Sequence, residues 1–278
     1  MNKKVLRVLA IALIAVLTLG LAGCGSSDSG SDSGSEDKVI TVGASPSPHA
    51  EILEAIASEV EAQGYTLEIV EFEDYVKPNQ ALTDGDIDAN YFQHQPYLDD
   101  YNEKNGTDLV GVEKIHYEPL GVYKGTKSSF DELEEGDRIG VPNDTTNEAR
   151  ALQLLQAEGL ITLKDGVGLQ ATRADIVDNP KNIEIVELEA AVIPQTLPDL
   201  ALAVINGNYA LSGGLTAGDA IAYEASDSEA AQEYGNVIAV RAGEENSEKT
   251  QVLLNAIKSE TAREFIESEY QGSVVPLF

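Results

Sequence analysis

Residues 38–72, KVITVGASPSPHAEILEAIASEVEAQGYTLEIVEF, decide the fold class. They open on Val39, Ile40 and Val42, a short apolar run of the kind that forms a buried strand. A loop follows at 44–48. Ile52, Ile56 and Val60 then recur every four residues, which predicts a helix with one apolar face packed on a sheet. Gly64 ends that helix, and 67–72 reads as a second strand. Strand, helix and strand in so short a stretch make a right-handed parallel crossover.

Further along, a short helix is expected around 79–82, leading into residues 86–98, DIDANYFQHQPYL. Alternation through Ile87, Ala89 and Tyr91 predicts a strand. Pro96 suits the first turn of a following helix, where its missing N–H costs nothing. Side chains at such a junction point into the crevice at the end of an α/β sheet, where ligands bind. A core aromatic cluster is the other reading of the same residues.

The pattern then repeats. Residues 109–123 are mostly extended, interrupted by Pro119 and Gly121. Ser128 or Ser129, with Asp131 and Glu132 three residues on, predicts a capped short helix. Strands are expected at 138–142, 183–188, 200–205 and 236–241. Thr145 to Glu148 reads as a capping box opening a helix with Leu152 and Leu155 on its buried face, and Gly159 stops it. Helices at 247–257 and 261–269 close the chain. Two sets of alternating elements, joined by two strand-like crossings, predict a two-lobed α/β protein. One lobe is expected at 38–121 plus 243–278 and the other at 122–242.

Before residue 38 the sequence carries an address. Lys3, Lys4 and Arg7 precede an apolar run from Val8 to Gly23. At 16 residues the run is shorter than the roughly 20 a membrane-spanning helix needs, so residues 1–23 read as a secretory signal. The run ends Leu21-Ala22-Gly23-Cys24, and Cys24 is the only cysteine in the chain. This arrangement resembles a bacterial lipoprotein signal, in which Cys24 becomes the lipidated first residue. A single cysteine also means no intrachain disulfide in an exported protein. Residues 25–37 contain only Gly, Ser, Asp and Glu, a composition that forms no core. As a flexible tether they reach roughly 20 Å.

The formal net charge is −30. Removing the signal takes away basic residues and no acidic ones, so the mature chain is more acidic still. Such a surface repels nucleic acid, anionic lipid headgroups and polyanionic ligands, while a zwitterion is not penalised.

Motifs for chemistry are few. Gly166-Val167-Gly168-Leu169-Gln170-Ala171 fits a loose dinucleotide pattern but follows a helix end rather than a strong strand. Asp84, Asp86 and Asp88 alternate like a calcium loop, yet Ala89 and Gln95 stand where a glycine and a bidentate glutamate are required. His49, His94 and His116 form no H-E-x-x-H pair, and no metal site is expected. There is no G-x-S-x-G elbow, and nothing makes a positive case for catalysis or for a cofactor. The second informative stretch is Val141 to Arg150. A strand delivers the chain to a helix N-terminus whose free N–H groups favour an anion, and Arg150 can add a bidentate carboxylate clamp. A capped helix with a surface arginine is the alternative.

Several ordered segments together resemble the NlpA/MetQ family of lipoproteins, the methionine-binding components of bacterial ABC importers. The resemblance rests on Phe72-Glu73-Asp74-Tyr75-Val76-Lys77-Pro78-Asn79, on Gly85 to Asn90 through Phe92-Gln93-His94 to Pro96-Tyr97-Leu98, and on Val141-Pro142-Asn143-Asp144. It continues through Leu163 to Leu169, Asn179-Pro180-Lys181-Asn182, Ile185 to Glu189 and Leu202 to Asn206. It implies a type II-like periplasmic-binding-protein fold that closes on L-methionine, with Tyr75, Phe92, His94 and Tyr97 around the side chain. Arg150 matches the carboxylate ligand, and Asn147, Asn206 and Asn236 match positions that hydrogen-bond the amino-acid backbone groups. It further implies a monomer anchored through Cys24 on the outer face of the cell membrane, serving a permease and its ATPase subunit. D-Methionine, methionine sulfoxide or a methionine-containing dipeptide are alternative ligands, and an exported hydrolase is a remote alternative. Met1 is the only methionine, which suits a protein made when methionine is scarce.

Overall fold

The computed structural model describes residues 38–224 and 233–278. The signal peptide, Cys24 and the tether lie outside the described residues. Strand β1 (Val39–Ala44) runs parallel to β2 (Thr66–Glu71). The helix between them is broken into α1 (Glu51–Ala55) and α2 (Ala57–Ala62), with Ile56 at φ −101° and ψ 4° between the two. Ile52, Ile56 and Val60 are nevertheless all fully buried. The fourfold spacing reports which residues touch the sheet, and a local break leaves that unchanged. Gly64 takes φ +83°, a left-handed conformation that glycine adopts without steric cost.

Helix α3 (Lys77–Asp84) is longer than the four residues expected. It leads to β3 (Ala89–His94), whose six residues are all buried. Ile87 lies ahead of this strand, packed with Leu82 and Leu98. Helix α4 (Gln95–Asn105) follows with Pro96 in its first turn, as the sequence predicts. Strand β4 (Val110–Tyr117) ends the first pass through one sheet.

Residues 118–120 cross to a second sheet. There the chain forms β5 (Gly121–Lys124), β6 (Arg138–Pro142), α5 (Thr145–Ala157), β7 (Thr162–Leu163), β8 (Ile176–Asp178) and β9 (Glu184–Leu188), followed by α6 (Ile193–Thr196), β10 (Leu202–Ile205), α7 (Gly207–Ser212) and β11 (Ala220–Tyr223). It then returns through β12 (Asn236–Val240), α8 (Glu248–Ile257), α9 (Glu260–Tyr270) and β13 (Val275–Pro276). The six-stranded sheet has the order β13-β4-β12-β3-β1-β2, and the five-stranded sheet the order β11-β5-β10-β6-β9. Each mixes parallel and antiparallel neighbours.

Both sheets are covered on two faces, which is what makes their strands uniformly apolar. In β12, Val237 and Ala239 pack with Leu82 and Leu98, while Ile238 and Val240 pack with Ile52, Leu253 and Ile266 on the other side. In β10, Leu202 and Val204 face Leu152 and Leu155, while Ala203 and Ile205 face Ile193 and Tyr209. The period-two alternation of a strand therefore feeds two cores per sheet.

Three expectations need correction. Residues 236–241 were grouped with the second set of elements, but β12 is hydrogen-bonded between β3 and β4 of the first sheet. The return crossing therefore precedes Asn236 rather than following residue 242. A strand buried on both faces carries no signal in its own residues for which sheet it joins. The short helix at 128–132 is a turn: Glu132 does cap the Ser128 N–H at 2.7 Å, but the segment is too short to repay helix nucleation. At α5 the cap is Asp144, which accepts from the Asn147 N–H. Glu148 accepts from Arg173 instead of closing a box.

Ile52 sits at the centre of the larger core with no exposure. An Ile52→Ala substitution is expected to cost about 2–5 kcal/mol, read from the shift of the urea unfolding midpoint.

Candidate functional site

The end of β3 turns directly into α4, and that turn aims side chains into a cavity between the two sheets. His94 is the helix N-cap, in an extended conformation, with Nδ1 accepting from the Tyr97 N–H at 3.1 Å. That leaves the proton on Nε2, which donates to Asn147 Oδ1 on α5 at 3.1 Å. Burial, and then the nearby Arg150 charge, lower the His94 pKa to about 3. His94 is thus a neutral bridge between the two halves of the molecule.

Tyr75, Phe92 and Tyr97 form one wall. Their ring centroids lie 5.7–6.0 Å apart in tilted and edge-to-face arrangements, the geometry that aromatic quadrupoles favour. Tyr75 is fixed by its hydroxyl, which donates to Asn208 Oδ1 at 2.5 Å, and by the Tyr209 ring at 4.8 Å. Tyr97 donates to the Tyr75 carbonyl at 3.0 Å. Tyr209, from the second sheet's side, donates to the Glu73 carbonyl. The aromatic wall is tied across the cavity as well as along it.

The opposite end is polar. The cavity is lined by Tyr75, Phe92, Gln93, His94, Tyr97, Glu118, Asn147, Arg150, Asn206, Gly207, Asn208 and Asn236. All eight expected ligand-binding residues, from Tyr75 to Asn236, therefore meet in one space. Asn147 Oδ1 accepts from both His94 and Asn206 Nδ2, the latter at 2.8 Å. This leaves Asn206 Oδ1 buried with no hydrogen-bond partner, an acceptor that a bound donor would satisfy.

Arg150 is buried on α5, but its fork does not face the cavity as a bidentate clamp. Nε donates to Glu224 Oε1 at 2.9 Å and Nη2 to Glu224 Oε2 at 2.5 Å, while Nη2 also reaches the Glu118 carbonyl at 3.0 Å. The guanidinium carbon stands 4.2 Å from the Tyr234 ring centroid. Nη1 makes no hydrogen bond to any described residue. Burial opposes the Arg150 charge, and the Glu224 carboxylate more than offsets it. Burial likewise pushes Glu224 up, yet Arg150 holds it below the usual carboxylate range. The helix N-terminus expected to receive an anion is already served: Asp144 caps it and also accepts from the Asn147 amide at 2.9 Å.

Behind the polar end, His116 Nε2 donates to Glu118 Oε1 at 2.7 Å, and His49 Nε2 lies 3.4 Å from the same oxygen and 3.1 Å from Asn236 Oδ1. Tyr91 hydrogen-bonds His116 Nδ1. These two histidines and Glu118 offer three buried donor atoms within 4.8 Å of one another, the one metal-compatible group among the described residues. Zinc bonds of about 2.0–2.2 Å at tetrahedral angles would separate donors by roughly 3.3 Å. At 2.7 Å the His116–Glu118 contact is a hydrogen bond. The sequence does not single out Glu118, Glu224 or Asn208, and it shows Gln93 only as a neighbour of Phe92 and His94. A lone glutamate beside Pro119 and another after an unrecognised strand offer no spacing to single them out.

A cavity between two sheets, reached by two chain crossings and lined by aromatic rings at one end and polar side chains at the other, defines the chain as a two-lobed substrate-binding protein. The profile of the NlpA lipoprotein family matches residues 40–278, and the chain belongs to that family of lipoproteins. It is 44% identical to the D-methionine-binding lipoprotein MetQ of Salmonella typhimurium over 93% of both chains. A putative lipoprotein structure from Ruminococcus gnavus superposes with a TM-score of 0.86 at 57% identity, covering 87% of this chain and 100% of that one. A nutrient-binding protein from Burkholderia cenocepacia, solved bound to methionine, gives 0.82 at 42% identity over 86% and 100%. An ABC-transporter periplasmic substrate-binding protein from Coxiella burnetii gives 0.80 at 37% identity over 85% and 99%.

Glu224→Gln tests the buried pair. Glu224 has a folded pKa below its unfolded value of about 4.3, so the pair contributes fully above that pH and is lost as pH falls through the lower folded value. The variant is expected to be about 3–5 kcal/mol less stable near neutral pH. Its deficit against the unsubstituted protein should shrink below about pH 4, measured by denaturant unfolding across pH.

Proposed function

We propose that this protein is the lipid-anchored receptor of an ABC importer and that it binds methionine in the cavity between its sheets. The observation that carries this is the shape of the chemistry. One end of the cavity is a wall of three rings, and the other holds Arg150, Asn147, Asn206 and Asn236. An unbranched apolar tail bearing a charged, hydrogen-bonding head fits that division. Burying a thioether side chain contributes about 1.5–3 kcal/mol, and sulfur–ring contacts add about 0.3–1.5. A carboxylate on Arg150 Nη1 adds about 1.5–3.

In this reading the two sheets are the cores of two lobes. The chain passes from one lobe to the other at residues 118–120, and ligand contacts to both sides stabilise the closed form. Cys24 carries the lipid, and residues 25–37 hold the domain off the outer face of the cell membrane as a monomer. The permease and its ATPase subunit take the ligand onward. The reading is of a binding protein, supported by the binding and transport roles in the names of its relatives. The methionine-bound Burkholderia relative and the name of the Salmonella one support the ligand, and the Coxiella neighbour supports the transport role.

Calorimetric titration with L-methionine, D-methionine, methionine sulfoxide and a methionine dipeptide ranks the ligands, and failure to bind any of them would sink the reading. Arg150→Lys keeps a cation for Glu224 but loses the free guanidinium edge. It is expected to weaken methionine binding roughly 10–150-fold, and an unchanged affinity would remove Arg150 from the site. Cys24→Ala is expected to move the protein from the membrane fraction to the soluble one on cell fractionation.

A further inference from the structure

Strand β3 carries one residue more than its neighbour. Gln93 pairs with Val237 and Tyr91 with Ile238, so Phe92 has no partner on β12. Such an extra residue is a β-bulge, which bends the strand and re-aims a side chain. The bulge decides which way each side chain points. Tyr91 shares the apolar face of Ile238, packed with Ile52, Ile115 and Leu253. Side chains alternate along a regular strand, so an unbulged β3 would send Gln93 to that same face. With the bulge, Gln93 joins Asn90 on the opposite face, opposite Val237 and Ala239. Phe92, the residue left over, lines the cavity beside Tyr75 and Tyr97, whose ring centroids lie 5.9 and 6.0 Å from its own.

A knot of three amides holds the extra residue in place. Asn79 Nδ2 donates to Gln93 Oε1 at 2.8 Å, while Gln93 Nε2 donates to Asn79 Oδ1 at 2.7 Å and to Asn90 Oδ1 at 2.9 Å. Asn90 Nδ2 donates to Asn79 Oδ1 at 2.8 Å and to the Pro78 carbonyl at 3.3 Å. All three side chains are buried. Each amide oxygen and nitrogen has a partner, and a satisfied buried network of this kind specifies a single geometry. Asn79 lies in the first turn of α3, shortly after Tyr75, whose carbonyl is held by the Tyr97 hydroxyl. The knot therefore ties the stretch that carries Tyr75 to the strand that carries Phe92.

We propose that Asn79, Asn90 and Gln93 are positioning residues for the aromatic wall: by locking the bulge at Phe92 against the Tyr75 segment, they set which apolar tail the cavity accepts. An apolar pocket separates tails that differ by one methylene only weakly, and it does so only while its walls are held in place. Apolar contact between rings is non-directional, so the wall on its own can shift to suit each tail. Hydrogen bonds weaken steeply away from their preferred line, so the amides behind the wall resist that shift. The proposal rests on the reading of the cavity as an amino-acid site.

The test ranks L-methionine, L-ethionine and L-leucine by calorimetric titration of the unsubstituted protein and of Asn79→Leu. Ethionine lengthens the tail by a methylene and leucine branches it, while all three share one head group. The unsubstituted protein is expected to prefer L-methionine over either by roughly 10–200-fold, the range for a methylene in an apolar pocket. Asn79→Leu should cut that preference about tenfold, by weakening L-methionine while the other two change by no more than about threefold. Because Asn79→Leu also leaves Gln93 Oε1 without its donor, a second variant replaces all three amides (Asn79→Leu, Asn90→Leu, Gln93→Met). Removing every partner at once is close to neutral for stability, and this variant should show the same loss of preference. Equal weakening of the three ligands, or an unchanged preference, in either folded variant would give the knot a purely structural part and overturn the proposal. So would an unsubstituted protein that binds all three equally, a result that needs no variant to fold. Binding of none of them to the unsubstituted protein would instead remove the amino-acid reading, and this role with it.

Discussion

Arg150 and Glu224 hold the molecule together where the chain passes between its two sheets. Glu224 follows the last strand of the second sheet and lies on the return crossing. It accepts from Arg150 on α5, from the Tyr117 hydroxyl at 2.7 Å and from the Leu120 N–H at 3.1 Å. Tyr117 and Leu120 belong to the outward crossing. One carboxylate therefore ties both crossings together, and one guanidinium ties them to the second lobe. An exposed ion pair contributes little, because water competes for each partner. Here the Arg150 and Glu224 side chains are only 4% and 10% exposed, so losing either partner strands a buried charge.

The same arrangement explains how a strongly acidic protein can hold an anionic group in its interior. The general surface charge is far away and screened at physiological ionic strength. Inside, three histidines are kept neutral by burial and serve as directional hydrogen-bond parts. His94 spans from β3 to α5, and His49 and His116 support Glu118. Because each is neutral, none of them disturbs the balance between Arg150 and Glu224. Rings supply affinity for an apolar tail but discriminate weakly between near-isosteres. Selection of the head group thus falls to the charges.

Much of the architecture was legible along the chain. Ile52, Ile56 and Val60 announced a helix packed on a sheet, and the alternating elements announced an α/β protein with two crossings. The family resemblance implied a shared set of residues, and Tyr75, Phe92, His94, Tyr97, Asn147, Arg150, Asn206 and Asn236 all line one cavity. What failed was pairing. Residues 236–240 were read correctly as a strand and given to the wrong sheet, because long-range strand partners leave no local trace. Asp144 took the cap expected of Thr145 for a local reason, since an aspartate offers a stronger acceptor at that position.

By itself, then, the sequence determined which segments are buried, which are helical and which residue types crowd the cavity. These follow from local periodicity, composition and spacing, properties each segment carries wherever it folds. The tertiary structure alone decided who faces whom: that Arg150 turns its fork to Glu224, and that Glu118 meets two histidines from elsewhere in the chain. Those outcomes depend on contacts between residues as far apart as 49 and 118 or 150 and 224. Only the folded topology sets those distances.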